Sequence, residues 1–150
     1  MKLHTDTNAA LNTVTGYGHG YVEINKISFH HAIAFGPEGP VQTWPAENPE
    51  SISTALLLQA AGLILKPIDP LAFLESDLPP QPELEGVRPE VLLVGTGSRQ
   101  RMLDHAVVLP LLRAGIGVEC MTTEAAARTY NILMAEGRQV IAALLPENVK

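Results

Sequence analysis

Cysteine is nearly missing from this chain of 150 residues. Cys120 stands alone, so neither an internal disulfide nor a cysteine-based metal centre can form, a usage that fits a reducing compartment and predicts a cytoplasmic location. Charge is scarce as well, at 17% of residues, below the roughly 25% typical of soluble domains. It also leans acidic: 10 Lys plus Arg oppose 16 Asp plus Glu, for a net charge of −6. With no basic run to release counterions from a phosphate backbone, no nucleic-acid partner is expected. Long apolar runs are lacking too. The most apolar window, Ala55 to Leu65, is interrupted by Gln59 and Gly62, whereas a membrane-spanning helix needs about 20 residues. No transmembrane segment is expected, although peripheral membrane association stays compatible with the composition. Near the amino terminus, Lys2, His4 and Asp6 stand where a signal peptide would need unbroken apolar sequence. What the chain does have is core material. Apolar residues make up 46% and mean hydropathy is +0.13, which excludes disorder and predicts a single domain over residues 1–150.

Residues 20–25 and 28–35 predict two antiparallel strands, joined at Asn25-Lys26 and closed by Gly36-Pro37. Upstream, Gly16, Gly18 and Gly20 read as a flexible lead-in to an edge strand. Ten of the 12 prolines fall between Pro37 and Pro89. Each removes a backbone donor and restricts its predecessor, so a proline-rich connection over about 37–89 is expected to hold only short elements. Within it, Ser51 to Ala61 predicts a helix. Asp69-Pro70 predicts a cap for a second at Leu71 to Leu74, and Leu78 to Glu83 an extended connection. From Pro89 onward the pattern sharpens. Strands are predicted at Glu90–Val94, Ile116–Met121 and Gln139–Leu145, and helices at about Leu103–Ala114 and at Thr123–Glu136. Pro110 implies a kink or a late start in the first of these helices, and Gly137 suits an αL cap on the second. The succession makes two βαβ units with parallel strands. The expected fold is therefore α/β: one three-layer domain with a mixed sheet, the amino-terminal hairpin supplying its antiparallel strands.

In such a sheet a ligand sits beyond the carboxyl ends of the strands. That edge is built by Gly95, Thr96, Gly97, Ser98 and Arg99 and by Thr122 and Thr123. The dinucleotide fingerprint G-x-G-x-x-G is incomplete, because Gln100 occupies the third glycine position. Two glycines would let main-chain amides approach an anion, with Arg99 or Arg101 supplying charge; a tight turn with solvated arginines is the plainer reading. Arg128 and Asn131 break the buried stripe of the second helix, as a clamp for a carboxylate or as internal struts. Cys120 lies in an apolar strand, which favours packing over nucleophilic chemistry. His4, His19, His30, His31 and His105 show no metal-ligand spacing. No catalytic residue is identified, and neither metal nor cofactor is expected.

The segments Pro89 to Gly97, Ala114-Gly115-Ile116, Met121-Thr122-Thr123, Arg128 to Leu133 and Glu136 to Val140, with Ala143-Leu144, together resemble the small uncharacterised domain family that includes mitochondrial complex I assembly factor 3. The stretch Tyr21 to Ile24 and Trp44 fit that family's amino-terminal half. The resemblance implies a compact α/β/α-like domain with a mixed sheet, and protein partners of the kind that assembly factors bind near a membrane. It carries over no catalytic residue.

Two readings follow. The first is a non-enzymatic interaction or assembly-factor-like module, for which Ala55 to Leu65 would offer an apolar docking surface and a homodimer is the default association state. The alternative is a small-molecule or anion-binding domain, with or without enzymatic activity, whose crevice comprises the residues from Gly95 to Arg99 together with Thr122, Thr123, Arg128 and Asn131.

Overall fold

A computed structural model of the protein describes residues 11–66, 71, 74 and 83–147. Of the helix expected at Leu71 to Leu74 only the two end residues are described, the Leu74 N–H donating to the Leu71 carbonyl at 3.0 Å; its Asp69-Pro70 cap and nearly all of the extended Leu78 to Glu83 connection lie outside the described residues.

The centre of the molecule is a five-stranded sheet of order β5-β4-β10-β8-β9. Strands β8 (Val91–Thr96), β9 (Gly117–Met121) and β10 (Val140–Leu145) are parallel, as predicted. Strands β4 (Ile33–Phe35) and β5 (Gln42–Thr43) extend the sheet beyond β10 by antiparallel pairing. Helix α2 (His105–Arg113) joins β8 to β9, and helix α3 (Thr123–Ala135) joins β9 back across β8 to β10. Because the second connection runs in the opposite direction along the sheet, a right-handed crossover puts its helix on the opposite face.

The core residues divide accordingly. Leu92, Val94, Ala143 and Leu145 point to a layer formed by α2, by helix α1 (Thr54–Ala60) and by Trp44 and Ile52. Leu93, Val140, Ala142 and Leu144 point to the other layer, with Ala126, Ala127, Tyr130 and Met134 of α3. The two-residue periodicity of strands thus sorts an unbroken apolar run into two cores.

The second layer also contains a three-stranded antiparallel sheet of β1 (Val14–Gly18), β2 (Tyr21–Ile24) and β3 (Ile27–Phe29). The Asn25-Lys26 turn stands where the sequence predicts it, both residues having positive φ, which matches the twist of a two-residue hairpin. Two details differ from expectation. The stretch predicted as one strand over 28–35 is broken at His30 to Ala32, so the hairpin stays in its own sheet and β4 and β5 make the central sheet mixed. The cause is burial: Ala32 to Phe35 are all buried and lie between the two layers, whereas Ile27 and Ser28 are exposed. The glycine-rich lead-in is strand β1 itself. Gly18 belongs there because a Cβ would lie 2.6 Å from the Tyr21 ring.

Within the proline-rich connection the described elements are short, as donor loss requires. Pro49–Ser51 form a 3-10 turn, α1 begins at Thr54 after the Ser53 cap, and β6 (Ile64–Leu65) pairs with β7 (Leu84–Glu85) as a two-stranded ribbon. The expected apolar docking surface at Ala55 to Leu65 largely faces inward. Leu57, Leu58, Ala60, Ala61 and Leu63 are buried, and Ile64 and Leu65 are exposed.

Candidate functional site

At the carboxyl end of β8 the chain must turn towards α2 while α3 departs from β9 on the other face. Gly95 makes this possible. A Cβ there would sit 2.8 Å from Leu144 Cδ2 and 3.0 Å from Thr123 Cα, so only glycine lets the first turn of α3 lie against β8. Thr96 Oγ1 donates to the Arg99 carbonyl at 2.6 Å and accepts from the Arg101 N–H at 3.1 Å, fixing the turn from within. Gly97, with φ +91°, gives both its main-chain groups to Thr123: its N–H donates to Thr123 Oγ1 and its carbonyl accepts from the Thr123 N–H, each at 2.9 Å. Thr123 Oγ1 in turn donates to the Leu145 carbonyl. Gln100 Nε2 donates to the Cys120 carbonyl at 3.0 Å.

These bonds close the space between the ends of β8 and β9, where the opposite departures of α2 and α3 would otherwise open a crevice. The open volume lies on the other flank of β8, towards β10. It is a cleft of about 910 Å³, with Thr96, Gly97, Ser98, Arg99 and Arg101 on one side, Glu47, Asn48 and Pro49 beside them, and Gly20, His30, His31, Pro146 and Glu147 opposite. Of the sequence-derived candidates, Thr96 to Arg99 line this cleft; Gly95, Thr122, Thr123, Arg128 and Asn131 do not. The two histidines enter where the chain crosses from β3 to β4, a position that periodicity does not reveal. Their interruption of an apolar run was the available signal. His31 Nδ1 lies 3.0 Å from the Ala32 carbonyl, an acceptor for a ring N–H. Arg101 is paired with Glu50 at 2.7 Å.

The remaining candidates lie on α3. Thr122 caps it, Oγ1 accepting from the Ala125 N–H. Arg128 is exposed and pairs with Glu124 one turn earlier, at 3.0 Å. Asn131 reaches across to β1, its Oδ1 accepting from the Val14 N–H at 2.9 Å and its Nδ2 donating to the Val14 carbonyl at 2.8 Å. A side-chain amide thus takes the place of a neighbouring strand. From the preceding residue, the Tyr130 hydroxyl donates to the Asn12 carbonyl at 2.7 Å, and Asn12 Nδ2 donates to the carbonyls of Gly36 and Gly39. Burial pushes the Tyr130 phenol well above its ordinary value. Burial also raises the Cys120 thiol; a hydrogen bond with the Leu103 main chain works against this, and the neighbouring Glu119 charge adds to it. A thiol so placed is held in its protonated, weakly nucleophilic form.

Among solved structures, a Bordetella pertussis protein described as a Mth938-like domain is 58% identical, with a TM-score of 0.74 over 99% of this chain and 94% of its own. A Bordetella parapertussis crystal structure is 55% identical, also with a TM-score of 0.74, over 92% and 98%. Human NADH dehydrogenase [ubiquinone] 1 alpha subcomplex assembly factor 3 is 42% identical over 59 residues, which are 39% of this chain and 32% of that protein. The chain thus spans less than half the length of the curated relatives it matches. The model of one family, described as a protein of unknown function (DUF498/DUF598), matches residues 14–145, from the first described strand to the end of β10. With nearly the whole of both layers inside that match, the chain belongs to the DUF498/DUF598 family.

Proposed function

We propose that the protein is a non-enzymatic interaction module that helps assemble a multi-subunit complex. The observation that carries this reading is the 59-residue match to a protein named as an NADH dehydrogenase assembly factor. The use of the motif residues supports it. Gly95, Gly97, Thr123, Tyr130 and Asn131 are bound into the architecture, so what the family motif maintains is a shape. Exposed apolar side chains at Ile64, Leu65 and Val87, on and beside the β6-β7 ribbon, supply contact area for a polypeptide.

Removing the protein from its source cells and resolving the respiratory NADH dehydrogenase on native gels tests the proposal. Loss of the mature complex, restored by the wild-type chain and poorly by Ile64→Ser/Leu65→Ser, is the expected result. A full complement of mature complex without the protein would overturn it.

A further inference from the structure

The cleft beside β8 holds charges of both signs that do not neutralise each other. Arg99 has no hydrogen-bond or ion-pair partner for its guanidinium among the described residues, and the Ser98 N–H beside it has no protein acceptor there. Glu47 and Glu147 line the same cleft, and neither has an ion-pair partner within 4 Å among the described residues. Its walls thus carry one free guanidinium and two free carboxylates. Arg101, tied to Glu50, contributes little net charge. The floor is made of Ala32, Ala46, Thr96 and Leu145, all buried; the two alanines leave depth that larger side chains would fill. A volume of about 910 Å³ accommodates a small molecule or several residues of peptide. A simple anion would gain from Arg99 and be repelled by the glutamates, and a simple cation would meet the reverse.

We propose that this cleft binds a zwitterion of the amino-carboxylate class, a free amino acid or the terminus-bearing ends of a short peptide. Its carboxylate meets Arg99 and the Ser98 N–H, and its ammonium meets Glu147 or Glu47. Complementarity to both charges supplies the selectivity, because a ligand of one sign leaves the opposite wall unpaired. The site stands apart from the assembly reading, and either can fail without the other.

Titration of the 15N-labelled full chain with glycine, triglycine, glycinamide, acetate and inorganic phosphate tests the proposal. Glycine and triglycine differ in how far apart they hold the two charges, so they separate a free amino acid from a peptide. Saturable shifts at Gly20, Gly97, Ser98 and Arg99 are expected with one of the two, and much weaker ones with the other three probes. Arg99→Gln, at an exposed side chain without a partner among the described residues, should weaken binding about tenfold, as loss of a charge-assisted hydrogen bond does. Glu47→Gln/Glu147→Gln should weaken it comparably. No response to glycine or triglycine would overturn the proposal. So would equal binding of acetate or phosphate that is insensitive to the glutamate substitutions.

Discussion

Thr123 joins three segments through one side chain. Its hydroxyl accepts from Gly97 and donates to Leu145, and the residue is almost inaccessible to solvent. Replacing it with valine preserves shape but leaves a buried N–H and a buried carbonyl unmatched, which should cost about 2 kcal/mol. Thr123→Ser should recover most of that loss in urea denaturation. Tyr130 supports a pH prediction. Its phenol titrates at a higher pH in the folded chain than the ordinary value near 10, so the folded state binds more protons once the unfolded phenol begins to ionise. Stability from this group is complete below about pH 10 and declines as pH rises towards the folded-state value. Chemical denaturation between pH 8 and 11 should show that decline. Tyr130→Phe should flatten it, at a cost of about 1 kcal/mol at neutral pH for the bond to Asn12.

Helix α3 and strand β1 behave as one unit because Asn131 binds both main-chain groups of Val14. Asn131→Ala should destabilise the protein by about 2 kcal/mol. It should also speed amide exchange at β1 before the parallel strands are affected. Arg128→Ala, three residues earlier, removes only an exposed pair within one helix and should change stability by less than about 0.5 kcal/mol. The two substitutions show what was legible at this scale. Both residues depart visibly from the buried stripe, but only the position of β1 tells a strut from a solvated charge, and β1 is hard to read because Gly16 and Gly18 lower its strand propensity. Strands β8 and β10 were legible because burial on both faces demands unbroken apolar sequence. The break at His30 to Ala32 was not, since a run that changes sheets reads like one that continues. The candidate site was half legible for a related reason: strand ends can be located from sequence, but which flank of β8 Thr123 closes depends on side-chain bonds between segments far apart in the chain.

Across the whole molecule, one sheet is the shared wall of two cores, so the layers should unfold together. Leu92 and Leu93 are neighbours on opposite faces, both almost fully buried. Leu92→Ala and Leu93→Ala should each cost about 2–5 kcal/mol. In both variants, fluorescence of the single tryptophan, Trp44, in the first core should report the same midpoint as near-ultraviolet dichroism, to which Tyr130 in the second core contributes. Separate midpoints would mean that the layers are independent.

The position of β10 has a consequence for biosynthesis. It is the last strand of the sheet to be made, yet it lies between β4 and β8, and a bridge at His19 and Glu147 ties its exit to the turn after β1. While the ribosome is still adding residues 140–145, β4 and β8 present open hydrogen-bonding edges and neither hydrophobic layer has its full wall. The nascent chain therefore waits for β10, and a polypeptide lacking residues 140–145 would be destined for chaperones and proteolysis.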